Sequence, residues 1–112
     1  MAYDEGLAER VRAHLAHLPG FTEKKMFGGI GFMLGGHLAA GAHNDARLMI
    51  RCSKDDHARF RAEPGCGGME RGGKEMAGWL LIDPDAVADD DELAKWVGRG
   101  RDYAGGLPPK KK

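Results

Sequence analysis

Eighteen of the 112 residues are glycine, and most of them fall in two stretches, 28 to 41 and 65 to 78. Between Lys24 and Cys52 the glycines, with Asn44 and Asp45, cut the chain into short apolar runs: "KKMFGG", "IGFML", "HLAAGAH" and "RLMIRC". Runs of that length bounded by such residues read as successive antiparallel strands, with turns at Gly35-Gly36 and at 44 to 46 at hairpin-like spacing. In "RLMIRC" Leu48 and Ile50 alternate with Arg47, Met49 and Arg51, the pattern of a sheet packed on helices by one face and wetter on the other.

Helices flank this region. Leu7, Val11, Leu15 and Leu18 recur at four, four and three residues, so 3 to 18 forms an amphipathic helix that Pro19-Gly20 ends. Ser53 with Asp56 three positions on resembles a capping box, predicting a short helix through "SKDDHARFRAE", anchored by Phe60 and closed by Pro64-Gly65. A last helix begins near Asp89, where an acidic run favours the positive end of the helix dipole, and carries Leu93, Val97, Ala104 and Leu107 on one stripe. Gly98 and Gly100 each weaken that helix by roughly 1 kcal/mol relative to alanine. "GWLLID" reads as a further strand closed by a turn at 83 to 85. The stretch 65 to 76, with five glycines and little apolar content, reads as a mobile loop. The order of elements predicts one α+β domain with an antiparallel sheet, spanning 1 to 112, with a disordered basic tail at 108 to 112.

Seventeen basic and seventeen acidic residues cancel, so the whole-molecule field selects neither nucleic acid nor an anionic membrane. The longest apolar runs are four or five residues and the first twenty positions carry several charges, which argues against a signal peptide or membrane span. The expected location is cytoplasmic. Cys52 and Cys66 form no C-x-x-C pair and are expected to remain reduced thiols.

Catalytic and cofactor motifs fail one by one. Gly29 and Gly31 match the start of a dinucleotide fingerprint, but Leu34 stands at the third position and strand follows where a helix is needed. No glycine in this region precedes Lys and a hydroxyl residue, as a phosphate loop requires. His14 and His17 sit three apart without a carboxylate in motif spacing, and His37, His43 and His57 lie in separate segments, so no metal is expected. Ser53 is explained as a helix cap, and no nucleophile elbow occurs. The run 83 to 92 lacks the ligand alternation of a calcium loop. Catalytic, cofactor-binding and metal residues are therefore expected to be absent. The chain holds six methionines. Met26, Met33 and Met49 are expected in the core, and Met69 and Met76 on a contact surface.

"EKKMFGGIGFMLGGHLAAG" at 23 to 41, "RLMIRC", "EMAGWLLIDP" at 75 to 84 and "LAKWVGRGRDYAGGLPPK" at 93 to 110 together resemble the N-terminal domain of the TfoX/Sxy family. Met26-Phe27-Gly28-Gly29 is the most specific element and is expected to be structural. The resemblance implies an α+β fold like that of type III secretion chaperones, and no established catalytic residues. Two-domain members regulate natural competence, acting with the cyclic-AMP receptor protein at promoters; this sequence ends where their second domain would begin. The expectation is a stand-alone, non-enzymatic regulatory module that contacts a protein partner, such as a transcription regulator, or a second copy of itself, through Met69, Met76, Trp79, Arg47 and Arg51. Two alternatives stay open: weak nucleic-acid binding through Arg47, Arg51, Arg59 and Arg61 together with the lysine tail, and a small-ligand pocket or enzyme site beside 65 to 76. Binding to nucleic acid without a partner, and to membrane, is not expected.

Overall fold

The computed structural model describes residues 4–26, 28–43 and 46–108. Helix α1 (Glu5–Leu15) is followed by strands β1 (Phe21–Met26), β2 (Gly29–Leu34), β3 (His37–Ala42) and β4 (Leu48–Arg51), then helix α2 (Lys54–Arg61). Strands β5 (Cys66–Arg71) and β6 (Lys74–Ile82), a 3-10 turn (Pro84–Val87) and helix α3 (Asp90–Gly105) complete the domain. The six strands form one antiparallel sheet in the order β1-β2-β3-β4-β6-β5. The α+β expectation therefore holds, with one correction. Residues 65 to 76 are not a loop but most of a β5–β6 hairpin, whose turn uses Gly72 and Gly73 at positive φ.

Caps begin two helices as the side chains dictate. The Asp4 carboxylate accepts a hydrogen bond from the Leu7 N–H at 3.2 Å, and the Ser53 hydroxyl accepts one from the Asp56 N–H at 3.2 Å. Each satisfies an amide that the first helical turn leaves without a backbone partner. Asp89 precedes α3 without a side-chain cap bond, and the charges of Asp90, Asp91 and Glu92 in the first turn act on the helix dipole.

The main core lies between the helices and one sheet face. Leu7, Val11 and Leu15 of α1 and Leu93, Trp96, Val97 and Ala104 of α3 meet Ile30, Phe32, Ala40, Leu48, Ile50, Leu80 and Ile82. Phe21 stacks on Phe32 with ring centroids 5.9 Å apart, and Phe60 of α2 meets Trp96 edge to face at 6.1 Å. Helix α3 approaches closest at Gly100, where a Cβ would overlap the Ala39 carbonyl oxygen of β3. In the Met26-Phe27-Gly28-Gly29 motif, Gly28 takes φ 75° in the β1–β2 turn and Gly29 pairs with Met26, while Phe27 lies outside the described residues.

Candidate interaction face

Strict alternation from the core residues of each strand puts Met26, Met33, Met49 and Met69 on the face away from the helices, but would turn Leu38 and Met76 toward the helical core. Two irregularities bring those two to the open face as well. In β3 the pairing with β2 shifts between Phe32 and Met33, so Ala39 and Ala40 both enter the helical core while Leu38 turns to the opposite face. In β6 Gly78 takes φ 86°, a conformation open to glycine at little cost, and the register with β5 shifts across this part of the strand. Met76 and Trp79, an odd number of positions apart, thereby come to share a face.

The result is a second apolar cluster built from strands alone: Leu38, Met49, Met69 and Leu81 buried, with Met26, Met33, Met76 and Trp79 partly buried against them. No residue of the three helices belongs to it. Glycines seat the methionines. A Cβ on Gly31 would meet the Met26 sulfur and methyl at 2.9 Å, and one on Gly41 would meet the Met49 methyl at 2.9 Å. Side chains thus lie flat over bare backbone, and the layer is thin, flexible and polarisable.

Basic side chains border it. The Arg51 guanidinium lies 4.4 Å from the Trp79 ring centroid and donates to the Gly78 carbonyl at 2.9 Å and to the Tyr103 hydroxyl at 3.1 Å. Held between two aromatic rings, Arg51 joins α3 to the open face and fixes the Trp79 ring. Arg47 lines a shallow groove of about 330 Å³ together with His43, Gly68, Met69, Glu70 and Leu81.

All five residues expected to form a contact surface are therefore gathered on or beside this layer: Met69, Met76, Trp79, Arg47 and Arg51. Two expectations need correction. Met69 is 6% exposed and lies beneath the layer instead of projecting from it, because the β5–β6 pairing carries it into the second cluster with Leu81. Met26 and Met33 are not in the helical core but on the open face, partly buried. Met49 is buried as expected, 0% exposed, within the second cluster on the face away from the helices.

The arginine patch considered for nucleic acid does not assemble. Arg59 pairs with Asp56 at 2.7 Å, and Arg61 bonds Glu75 at 3.2 Å and the Cys66 carbonyl at 3.1 Å, both on the α2 side. Glu75 also receives His57 at 2.6 Å, and that hydrogen bond, ahead of Arg61, holds its carboxyl below the usual carboxylate range. The Gly78 N–H donates to His57 Nδ1 at 3.0 Å, so Nε2 carries the proton given to Glu75. Sequence offered no signal for this pin between α2 and the Gly78 slip, because its members lie far apart along the chain.

On the helical side a cleft of about 310 Å³ is lined by Cys52, Ser53, Asp56, Phe60, Arg99, Asp102 and Tyr103. Arg99 spans the Phe60 and Trp96 rings at 4.2 and 4.6 Å and pairs with Glu63 at 2.7 Å. Burial pushes the Cys52 thiol up and the Cys66 thiol to about 11, the opposite of an activated nucleophile. Among the described residues no group of three or more His, Cys, Asp or Glu side chains converges to hold a metal. Among the described residues no helix is long and apolar enough to cross a membrane.

The fold and this face define a class: a small α+β domain whose antiparallel sheet is covered by three helices on one side and carries a methionine-rich layer on the other. The chain belongs to the TfoX N-terminal domain family, whose pattern matches residues 13–104, from the end of α1 to the last turn of α3. No curated protein and no solved structure matches it.

Proposed function

We propose that this TfoX N-terminal domain is a non-enzymatic regulatory module that binds a protein partner through the helix-free face of its sheet. The observation that carries this reading is the second apolar cluster: Met26, Met33, Met76 and Trp79 remain partly exposed on a face that none of the helices covers. Scattered apolar residues on a surface are ordinary, but a contiguous layer of them marks an interaction site. Methionine suits the task because its unbranched side chain repacks against differently shaped partners. The raised thiols and the absence of an assembled nucleophile and base among the described residues favour binding over catalysis.

A photo-crosslinking amino acid at position 33, on the face, and at Ala94, exposed on α3, tests this in cells. Position 33 should yield a defined protein adduct that Met76→Glu abolishes. Equal products from both positions, or none from position 33, would refute it.

A further inference from the structure

The formal charge of zero hides a segregation. At the strand positions that share the open face the ionisable side chains are basic: Lys24, opposite Gly31, then Arg51 opposite Trp79, and Lys74 two residues before Met76. Glu23 and Glu75, on the neighbouring positions of β1 and β6, turn to the helical side, where they meet Arg12 and His57. The acidic run 89 to 92 opens α3, which also packs on the helical side. Of the described carboxylates, Glu70 is the one that lines the groove on the open face. An apolar floor with a cationic border complements a segment that is itself apolar on one side and acidic on the other.

We infer that the occupant of this face is an acidic, amphipathic peptide segment of a different protein. A second copy is disfavoured by the same charges, since a face-to-face pair would set Lys24, Arg51 and Lys74 against their own kind. Nucleic acid is disfavoured by the floor. Among the described residues Trp79 is its sole aromatic ring, one face of which Arg51 already covers, so these residues offer no platform for a row of stacked bases. Six strands about 4.8 Å apart give a face roughly 24 Å across, the length of a helix of about 16 residues. This inference rests on the proposed binding face and adds the chemistry of what binds.

Selection from a displayed library of random 16-residue peptides, with the whole chain as bait and a Met33→Glu variant for counter-selection, tests it. A Met76→Glu variant serves if the first fails to fold by circular dichroism. Enriched peptides should carry Asp or Glu beside apolar anchors, and the double variant Lys24→Glu, Lys74→Glu should weaken them tenfold or more. Enrichment of neutral or basic peptides overturns the charge inference and leaves the binding face standing. No enrichment that depends on Met33 overturns both. Tighter binding of a 16-residue thymidine oligonucleotide, or a dimer in sedimentation that Met33→Glu dissociates, replaces the acidic peptide with the other occupant and overturns the inference.

Discussion

Gly98 and Gly100 lie one residue apart from a common neighbour in α3, and a helix scale scores them identically; the structure assigns them opposite effects. At Gly98 the nearest atom to an added Cβ is an Arg101 nitrogen at 3.6 Å, ordinary contact with a flexible side chain. Gly98→Ala should therefore stabilise by about 0.5–1 kcal/mol, the backbone entropy that glycine costs in a helix. At Gly100 the added Cβ would overlap the Ala39 carbonyl oxygen, and β3 cannot give way because both its neighbours hold it in the sheet. Helix α3 must then withdraw from β3, loosening Trp96, Val97 and Ala104, which are each 1% exposed. Overpacking of this kind costs about 3 kcal/mol, which the same helix-propensity gain of about 1 kcal/mol only partly offsets, leaving a net loss of about 2 kcal/mol. With a shift of about 4 °C per kcal/mol for a domain near this size, Tm should rise by about 2–4 °C in Gly98→Ala and fall by about 8 °C in Gly100→Ala. Urea unfolding followed by circular dichroism gives the same comparison at constant temperature. A Gly100→Ala protein at least as stable as wild type would show that α3 does not meet β3 as described, and would remove the reason for that glycine.

The remaining predictions concern charge and sulfur. Glu23 is held below the usual carboxylate range by its hydrogen bond from Arg12, and Glu75 by His57. At Glu63 burial pushes the other way, but Lys95 and Arg99 outweigh it and the carboxyl is again lowered. Since each folded value lies below the unfolded one, the stabilisation is complete above about pH 5 and is lost as pH falls through the folded values; Glu75→Gln should flatten that acid limb in urea titrations, and an unchanged limb would count against the pin. Nitrogen chemical shifts of neutral His57 should report the Nε2–H tautomer, and the Nδ1–H form would contradict the Gly78 bond. Both thiols are buried and raised, so a disulfide reagent at pH 8 should label them at less than about one hundredth of the rate in urea, with rapid native labelling the contrary result. Gly78→Val should both lower stability and disturb the Trp79 fluorescence, because a Cβ there would lie 2.7 Å from the Cys52 carbonyl in a backbone conformation that valine avoids.

The elements that were legible in the sequence are the ones whose causes are local. Leu7, Val11 and Leu15 stand at helical spacing, Ser53 caps α2, and paired glycines turn the hairpins, so helices, turns and the family motif could be placed from neighbours along the chain. The β5–β6 hairpin was missed because Cys66-Gly67-Gly68-Met69-Glu70-Arg71 has almost no strand signal of its own and is held by pairing with β6. The five contact residues were named from composition and position; that they gather on one face was not visible.

Sequence by itself determined that the chain builds an antiparallel sheet between helices, because period, caps and turn residues act within a few positions. Only the tertiary structure decided that Leu38 and Met76 join Met26, Met33, Met49 and Met69 on the side of the sheet away from the helices. That choice depends on the slips at Ala39 and Gly78, each of which reverses the facing of every residue beyond it, and on strand pairing across the whole sheet.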